Sequence, residues 1–289
     1  MFVKWNRAIS ILAVLTLIVG ISMTTIGCGN QSSDTNGSVN ETTTQEITFS
    51  GVIREAGSTS VLPLAEKWAL AFMEKHPNLE ITYTGGGSSA GVKQSAAGTV
   101  DIGAASREIK ITENDLIPIP VARDGVAVIV NENNPIQGLT LEQITKIYTG
   151  EIVNWSEVGG NDLQITVYGR EEGSGTRDCF DSVVLKKLEV SPTALAKKSN
   201  GEVQIGIQED ASGIGYVSLG YINGVKPLLV NDVECTIETC QQGTYPIVRR
   251  LYFITQTIPS DAVNAFLNFC RGEEGQKIVA DNGFVPLVY

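Results

Sequence analysis

The sequence predicts an α/β protein of two lobes. Strand-like and helix-like patterns alternate from Ile47 onward, which is the signature of βα units. Several strands end in Gly/Ser/Thr loops that open directly into helices. Beyond a polar N-terminal stretch there remain about 240 residues, more than one compact core usually holds.

Ile47–Ala56 reads as a strand, and Ser60 to about Lys75 as a helix with Leu64, Trp68 and Phe72 spaced four apart on one face. A short strand at Glu80–Tyr83 leads through glycines to a helix near Gly91–Ala97. Val100–Ala104, Ile117–Val121 and Gly125–Val130 are apolar runs of strand length. Thr140 caps a helix that reaches Tyr148 and stops at Gly150. Ile165–Tyr168 reads as a buried strand, and Gly173-Ser-Gly-Thr-Arg177 opens a helix running to about Lys187. Gly213–Val217 and Leu251–Thr255 are further strands. Ser260-Asp261 starts an amphipathic helix that ends at Gly272, and another helix precedes Gly283. No internal repeat is present. Extended segments near Val126–Asn131 and Pro246–Ile254 suit the crossings between lobes, giving one lobe of residues 47–129 plus 247–289 and a second of residues 130–246.

The N-terminus reads as targeting sequence. Lys4 and Arg7 precede an apolar stretch from Ala8 to Val19, too short for a membrane span, and Gly27-Cys28 follows. A small residue before Cys28 predicts a signal peptide over residues 1–27 and lipidation of Cys28. Residues 28–46, rich in Ser, Thr, Asn and Gln, then form a flexible tether. The folded part is expected outside the cytoplasm, held to the membrane by its lipid anchor.

Residues 1–27 carry two cations and no anion, so their removal takes the net charge from −11 to −13. So acidic a surface excludes nucleic acid as partner, because phosphate backbones need a basic face. Long-range repulsion also means that any anion must be held by local dipoles and a few well-placed cations. Cys/His spacing matches no metal site. His76, the sole histidine, stands at a helix end before Pro77, where a cap or solvent contact is expected. Cys179 and Cys270 lie in apolar helical stretches and read as small buried hydrophobes. Cys235 and Cys240 are spaced to close a small loop in an oxidising compartment, with the free-thiol form left open.

Three loops carry anion-binding equipment. In Tyr168-Gly-Arg-Glu-Glu-Gly-Ser-Gly-Thr-Arg177 a strand ends at Arg170 and a helix starts among glycines and hydroxyls. Backbone N–H groups at a helix start have no intrahelical partner and carry partial positive charge. Arg170 adds a planar fork matched to two oxygens of one oxyanion. Ala56-Gly-Ser-Thr-Ser60 and Thr84-Gly-Gly-Gly-Ser-Ser-Ala-Gly91 repeat the pattern. Each alone is also what an ordinary capped helix looks like. In an open α/β sheet, however, the carboxyl ends of strands face one crevice, where three such loops could surround a small tetrahedral anion. No nucleotide-binding loop of either common type is present.

Gly57-Ser-Thr-Ser-Val-Leu-Pro-Leu64, Gly86-Gly-Ser-Ser-Ala-Gly91, Val100-Asp-Ile-Gly-Ala104, Arg170-Glu-Glu-Gly-Ser-Gly-Thr-Arg177 and Ile214-Gly-Tyr-Val217 resemble, in order, the phosphate-binding proteins of Pst-type ABC importers. The resemblance spans about Ile47 to Leu287. It implies a type II periplasmic-binding-protein fold: two α/β lobes, two crossings and a ligand cleft between them. It also implies that Thr59, Ser60, Ser88, Ser174, Gly175 and Thr176 donate to phosphate, that Arg170 is the single cation, and that Asp101 accepts a phosphate proton. Ser60 stands where other members carry an aromatic residue, and Glu172 either holds Arg170 or is simply solvated. An acceptor carboxylate would reject sulfate, which has no proton to offer it.

The implied function is a monomeric, membrane-anchored phosphate receptor serving an ABC permease with a separate ATPase, without cofactor or metal and without catalysis. The sequence leaves alternatives open, among them a receptor that mainly reports phosphate to a sensor or adheres to another surface, and two others. One is a receptor for sulfate or molybdate on the same fold. The other is an extracellular hydrolase using Ser174, for which His76 would be the only base of its kind.

Overall fold

The computed structural model describes residues 48–113, 115–256 and 258–287. The expected signal peptide, the expected lipidation site Cys28 and the expected tether lie outside the described residues. No helix among those described is long and apolar enough to cross a membrane.

The chain begins with βα units. Strand β1 (Ser50–Gly57) leads to α1 (Leu62–Lys75), β2 (Asn78–Gly85), α2 (Ser88–Ala96) and β3 (Ile102–Ala105). Then follow β4 (Ile117–Val130), β5 (Gly138–Leu139), α3 (Leu141–Thr149), β6 (Thr166–Arg170) and α4 (Gly175–Phe180). The remainder is β7 (Leu195–Lys197), α5 (Asn200–Glu209), β8 (Gly213–Ser218), β9 (Lys226–Pro227), β10 (Leu229–Val230), α6 (Ile237–Gln242), β11 (Val248–Thr255), α7 (Asp261–Arg271) and α8 (Glu273–Asp281). The main sheet runs β2-β1-β3-β11-β4-β8-β6-β7, with β9 also on β4, and β5 pairs with β10 apart from it. Strands β2, β1 and β3 are parallel, as are β8, β6 and β7. Between these groups β11 and β4 run antiparallel to their neighbours.

Two large hydrophobic cores result, beside a small third cluster around Val92, Ala105 and Tyr252. One gathers Ile53, Trp68, Phe72, Phe253, Phe266 and Phe284; the other gathers Ile129, Tyr148, Trp155, Phe180, Tyr216 and Ile247. Among the described residues, β4 places Val121 in the first and Val126 in the second, and β11 places Leu251 in the first and Val248 in the second, with Ile247 just before it; Phe284 and Val285 after α8 divide in the same way. Trp68 anchors the first core, fully buried, with its indole N–H on the Gly275 carbonyl at 2.9 Å and its ring edge-on to Phe253.

Local chemistry explains most element ends. Thr140 and Gln143 form a capping box at the start of α3, and Gly150 ends it in the left-handed region at φ 83°. Ser260 caps α7 through the Val263 N–H. His76 terminates α1 with its ring against Phe49 and Phe72.

Several expectations need correction. Ile117–Val121 and Gly125–Val130 are one strand, which pairs with β11 over Ile117–Gly125 and with β8, on its other side, over Val126–Val130. The charged pair Arg123-Asp124 between them is no turn. The helix expected to reach Lys187 leaves α-geometry after Phe180 for one π-helical turn over Asp181–Leu185, and Lys186 and Lys187 then take positive φ of 48° and 84°. The sequence pattern does not predict helix α5, because Val203, Ile205 and Ile207 alternate like a strand; Ile205 in fact faces solvent at 53% exposure.

Glu55 on β1 is buried, with its Oε2 lacking any hydrogen-bond partner. Burial alone pushes its carboxyl up to about 8. The folded state therefore keeps the proton while the unfolded chain releases it above its ordinary value of 4.5. Stability is full below that value and falls as pH rises to about 8, by up to ~1.4 kcal/mol per pH unit. Glu55→Gln should flatten this decline in denaturant unfolding measured from pH 5 to 8. Equal slopes for both proteins would mean that Glu55 is ionised in the fold.

Candidate functional site

The carboxyl ends of β1, β3 and β6 converge on one buried polar cluster. From the β1–α1 turn come Ser58, Thr59 and Ser60, and α2 begins at Ser88. Ser106 follows β3, Arg170 ends β6, and Ser174 caps α4, whose first residues are Gly175 and Thr176. Each of these side chains is at least nine-tenths buried. Burial of so many hydroxyls is tolerable only because they bond to one another.

Ser60 Oγ and Thr176 Oγ1 are 3.0 Å apart, joining the turn after β1 to the start of α4. Ser58 Oγ donates to Ser106 Oγ at 2.9 Å, and Ser88 Oγ lies 3.3 Å from the same atom while accepting the Ser106 N–H at 3.0 Å. Gly175 packs so closely on Ser88 and Ser106 that a Cβ there would strike both hydroxyls. The approach of these chains thus depends on a residue without a side chain.

Two guanidiniums lie in the cluster. Arg170 is held by the carbonyls of Lys197 and Lys198 at 3.2 and 3.0 Å, and it reaches Thr59 Oγ1 and Thr176 Oγ1 at 3.4 Å each. Arg249, from β11, donates to Ser60 Oγ at 2.7 Å and Ser106 Oγ at 3.3 Å. Arg249 also forms a buried ion pair with Asp124 of β4, at 2.6 and 3.0 Å. Asp124 is fully buried and takes a further bond from the Leu219 N–H at 3.1 Å. Burial pushes the Asp124 carboxyl up, and Arg249 opposes the rise. Burial, aided by the charge of Arg249, lowers Arg170 to about 10, which leaves it charged at neutral pH. Even with Asp124 ionised, the two guanidiniums leave this buried cluster with net positive charge.

Asn200, at the start of α5, completes the ring. Its Nδ2 donates to Thr59 Oγ1 at 3.1 Å and Ser60 Oγ at 3.0 Å, and its Oδ1 accepts the Ser218 N–H at 3.2 Å. The turn after β1 is tied further by Tyr221 Oη, which donates to the Thr59 carbonyl at 2.8 Å. Arg107 links the segment after β3 to α4. It pairs with Glu113 at 2.9 Å and reaches Asp178 on α4 at 3.2 Å.

Of the residues singled out from the sequence, Thr59, Ser60, Ser88, Arg170, Ser174, Gly175 and Thr176 are brought together. Asp101 is not. It precedes β3 at the strand's amino end, accepts the Arg54 N–H at 2.8 Å, and is partly exposed beside the Arg54 guanidinium. The expected single cation is also corrected, since Arg249 stands beside Arg170. Glu172 is exposed, and backbone carbonyls hold Arg170 in its place. Arg249, Asp124, Ser106 and Asn200 were missed. A charge inside an otherwise apolar strand was the available signal for the first two, because such a charge needs a buried partner.

A model of the PBP superfamily domain matches residues 33–274. The phosphate-binding protein PstS of Bacillus subtilis is 30% identical over 283 residues, covering 96% of this chain and 94% of that one. PstS of Borreliella burgdorferi is also 30% identical, over 82% and 90% of the two chains. Among solved structures, a phosphate ABC transporter substrate-binding protein from Clostridium perfringens with bound phosphate is 37% identical. It superposes at a TM-score of 0.80, covering 82% of this chain and all of that one. An ABC-type phosphate transport receptor from Vibrio cholerae is 32% identical at a TM-score of 0.68. The chain belongs to the PstS family of phosphate-binding proteins within the PBP superfamily.

Proposed function

We propose that this protein is an extracytoplasmic receptor that encloses one inorganic phosphate and delivers it to an ABC permease. The observation that carries this reading is the buried cluster of two guanidiniums, one carboxylate and a ring of hydroxyls. Its net positive charge calls for an anion, and its donors converge from several directions, as a tetrahedral oxyanion requires. Relatives named for phosphate binding and phosphate transport support the same assignment.

The cluster draws on both cores, which suits a closing cleft. Thr59 and Ser60 adjoin the first core at Val61, and α2, which begins at Ser88, packs Val92 into the small third cluster; Arg170, Thr176 and Asn200 stand on elements that pack Tyr168, Cys179 and Val203 into the second core. The sequence sets the lobes at residues 47–129 with 247–289 and 130–246; we propose that β4 crosses between the cores earlier, at Arg123–Gly125, so that Val126–Val130 go with the second lobe. Closure would strip water from the anion and strengthen each bond to it. The closed shape would then be what a permease reads. We further propose that residues 1–27 are a signal peptide, that Cys28 carries the lipid anchor and that the receptor acts as a monomer; ATP hydrolysis falls to a partner.

With Asp101 outside the cluster and Asp124 committed to Arg249, the ligand's proton would be accepted by Ser60, Ser106 or Thr176, whose hydroxyls both donate and accept. A hydrolase reading gains nothing, because the Ser174 hydroxyl accepts the Arg177 N–H as a helix cap and His76 packs between Phe49 and Phe72.

Calorimetric titration of ligand-stripped protein with phosphate should show one tight site, with sulfate and molybdate weaker. Binding of sulfate or molybdate without phosphate would overturn the ligand assignment. Arg170→Ala should weaken phosphate by roughly 30-fold or more, since losing a buried charged donor costs about 2–5 kcal/mol; wild-type affinity would place Arg170 outside the contact shell. Asp101→Asn should leave both phosphate affinity and sulfate rejection within about twofold of wild type, as exposed pairs contribute little. A large loss of sulfate rejection in that variant would restore the role implied by the family resemblance.

A further inference from the structure

Helix α6 begins with an unusual pair. Thr236 caps it in a capping box with Thr239, which makes Cys235 the residue before the cap and Cys240 the fourth helical residue. These two positions commonly carry hydrophobic side chains that touch and fix the angle at which the chain enters a helix. Here both are thiols, both buried, with their Sγ atoms 4.0 Å apart. The sulfurs need close by only about 2 Å to reach bonding distance. Side-chain rotation supplies such a movement while the capping box keeps the backbone in place.

The seat beneath them is Gly125 of β4. A Cβ added there would lie 2.6 Å from each sulfur, so any other residue would collide with both. Gly125 lies in regular pairing with Val248 and does not adopt a left-handed φ, so the backbone itself makes no demand for glycine. The sulfurs account for it. Arg123 Nη2 donates to the Cys240 carbonyl at 3.1 Å, and Tyr245 Oη donates to the Val126 carbonyl at 3.0 Å, so α6 and the segment after it are tied to β4 on both sides of Gly125. Cys179 and Cys270 sit on α4 and α7.

We infer that Cys235 and Cys240 are a thiol–disulfide couple, seated on Gly125 where β4 passes between the two cores. In the oxidising step one cysteine, as thiolate, attacks a low-molecular-weight disulfide such as oxidised glutathione and releases one glutathione. The second cysteine then displaces the other glutathione, forming the Cys235–Cys240 bond. Two protein thiols are oxidised, one glutathione disulfide is reduced, and both protons leave on the two glutathione thiols. Burial pushes the Cys235 thiol up, so exchange requires brief opening of α6 and the closed pair resists casual oxidation. The extracytoplasmic location proposed above would favour the bonded form.

The test uses the mature protein without denaturant, equilibrated in glutathione buffers from fully reduced to fully oxidised. Samples are quenched in acid, alkylated with N-ethylmaleimide in denaturant, digested and weighed. The peptide carrying both cysteines should pass in one transition from doubly alkylated to unalkylated and two hydrogens lighter. This readout is independent of phosphate binding. A peptide that stays doubly alkylated in every buffer, or that accumulates glutathione on a single cysteine, would overturn the inference.

Discussion

Two arginines buried around one carboxylate set the terms for this structure. Removing a guanidinium from water is costly, and the 2.6 Å pair with Asp124 compensates Arg249 alone. Among the described residues Arg170 hydrogen-bonds only to carbonyls and hydroxyls, and it stays charged at neutral pH although burial lowers it to about 10. An uncompensated charge in a closed, water-poor site amounts to a standing affinity for an anion. The acidity of the whole chain does not cancel this. Distant charges are screened over about 8–10 Å, whereas charges inside a closed site are screened much less.

The remainder of the fold holds that charge in place. Strands β1, β3 and β6, ending on one side, deliver Ser58–Ser60, Ser106 and Arg170, and helices α2 and α4 begin there at Ser88 and Gly175. Hydroxyls suit the ring because each can turn to donate or accept, so the network is satisfied internally and can re-aim at a ligand. Asp124 and Arg249 sit on the two strands shared by both cores. The ion pair that neutralises one arginine therefore lies at the crossing, and a change in the angle between the cores would be felt there first.

Much of this was legible in the sequence, because it follows from chain-local chemistry. Gly-Ser-Gly-Thr after an apolar strand announces a capped helix facing a crevice, and the structure puts Ser174, Gly175 and Thr176 there. What failed was position along a strand. Asp101 was assigned from its motif, yet it precedes β3, while the loops converge where β3 ends, five residues later at Ser106. The rule that placed the other loops would have placed Ser106 too. Arg249 and Asp124 were hidden for another reason, since they are far apart in sequence and meet only because β11 and β4 pair. Asn200 was lost with α5, whose alternating valine and isoleucines imitate a strand.

The most direct measurement is a crystal structure of the phosphate-saturated protein. The account predicts a single phosphate with its oxygens within hydrogen-bond distance of both Arg170 and Arg249, ringed by the hydroxyls of Thr59, Ser60, Ser106 and Thr176, with Asp101 still against Arg54. Phosphate bound elsewhere, or contacting neither guanidinium, would contradict it.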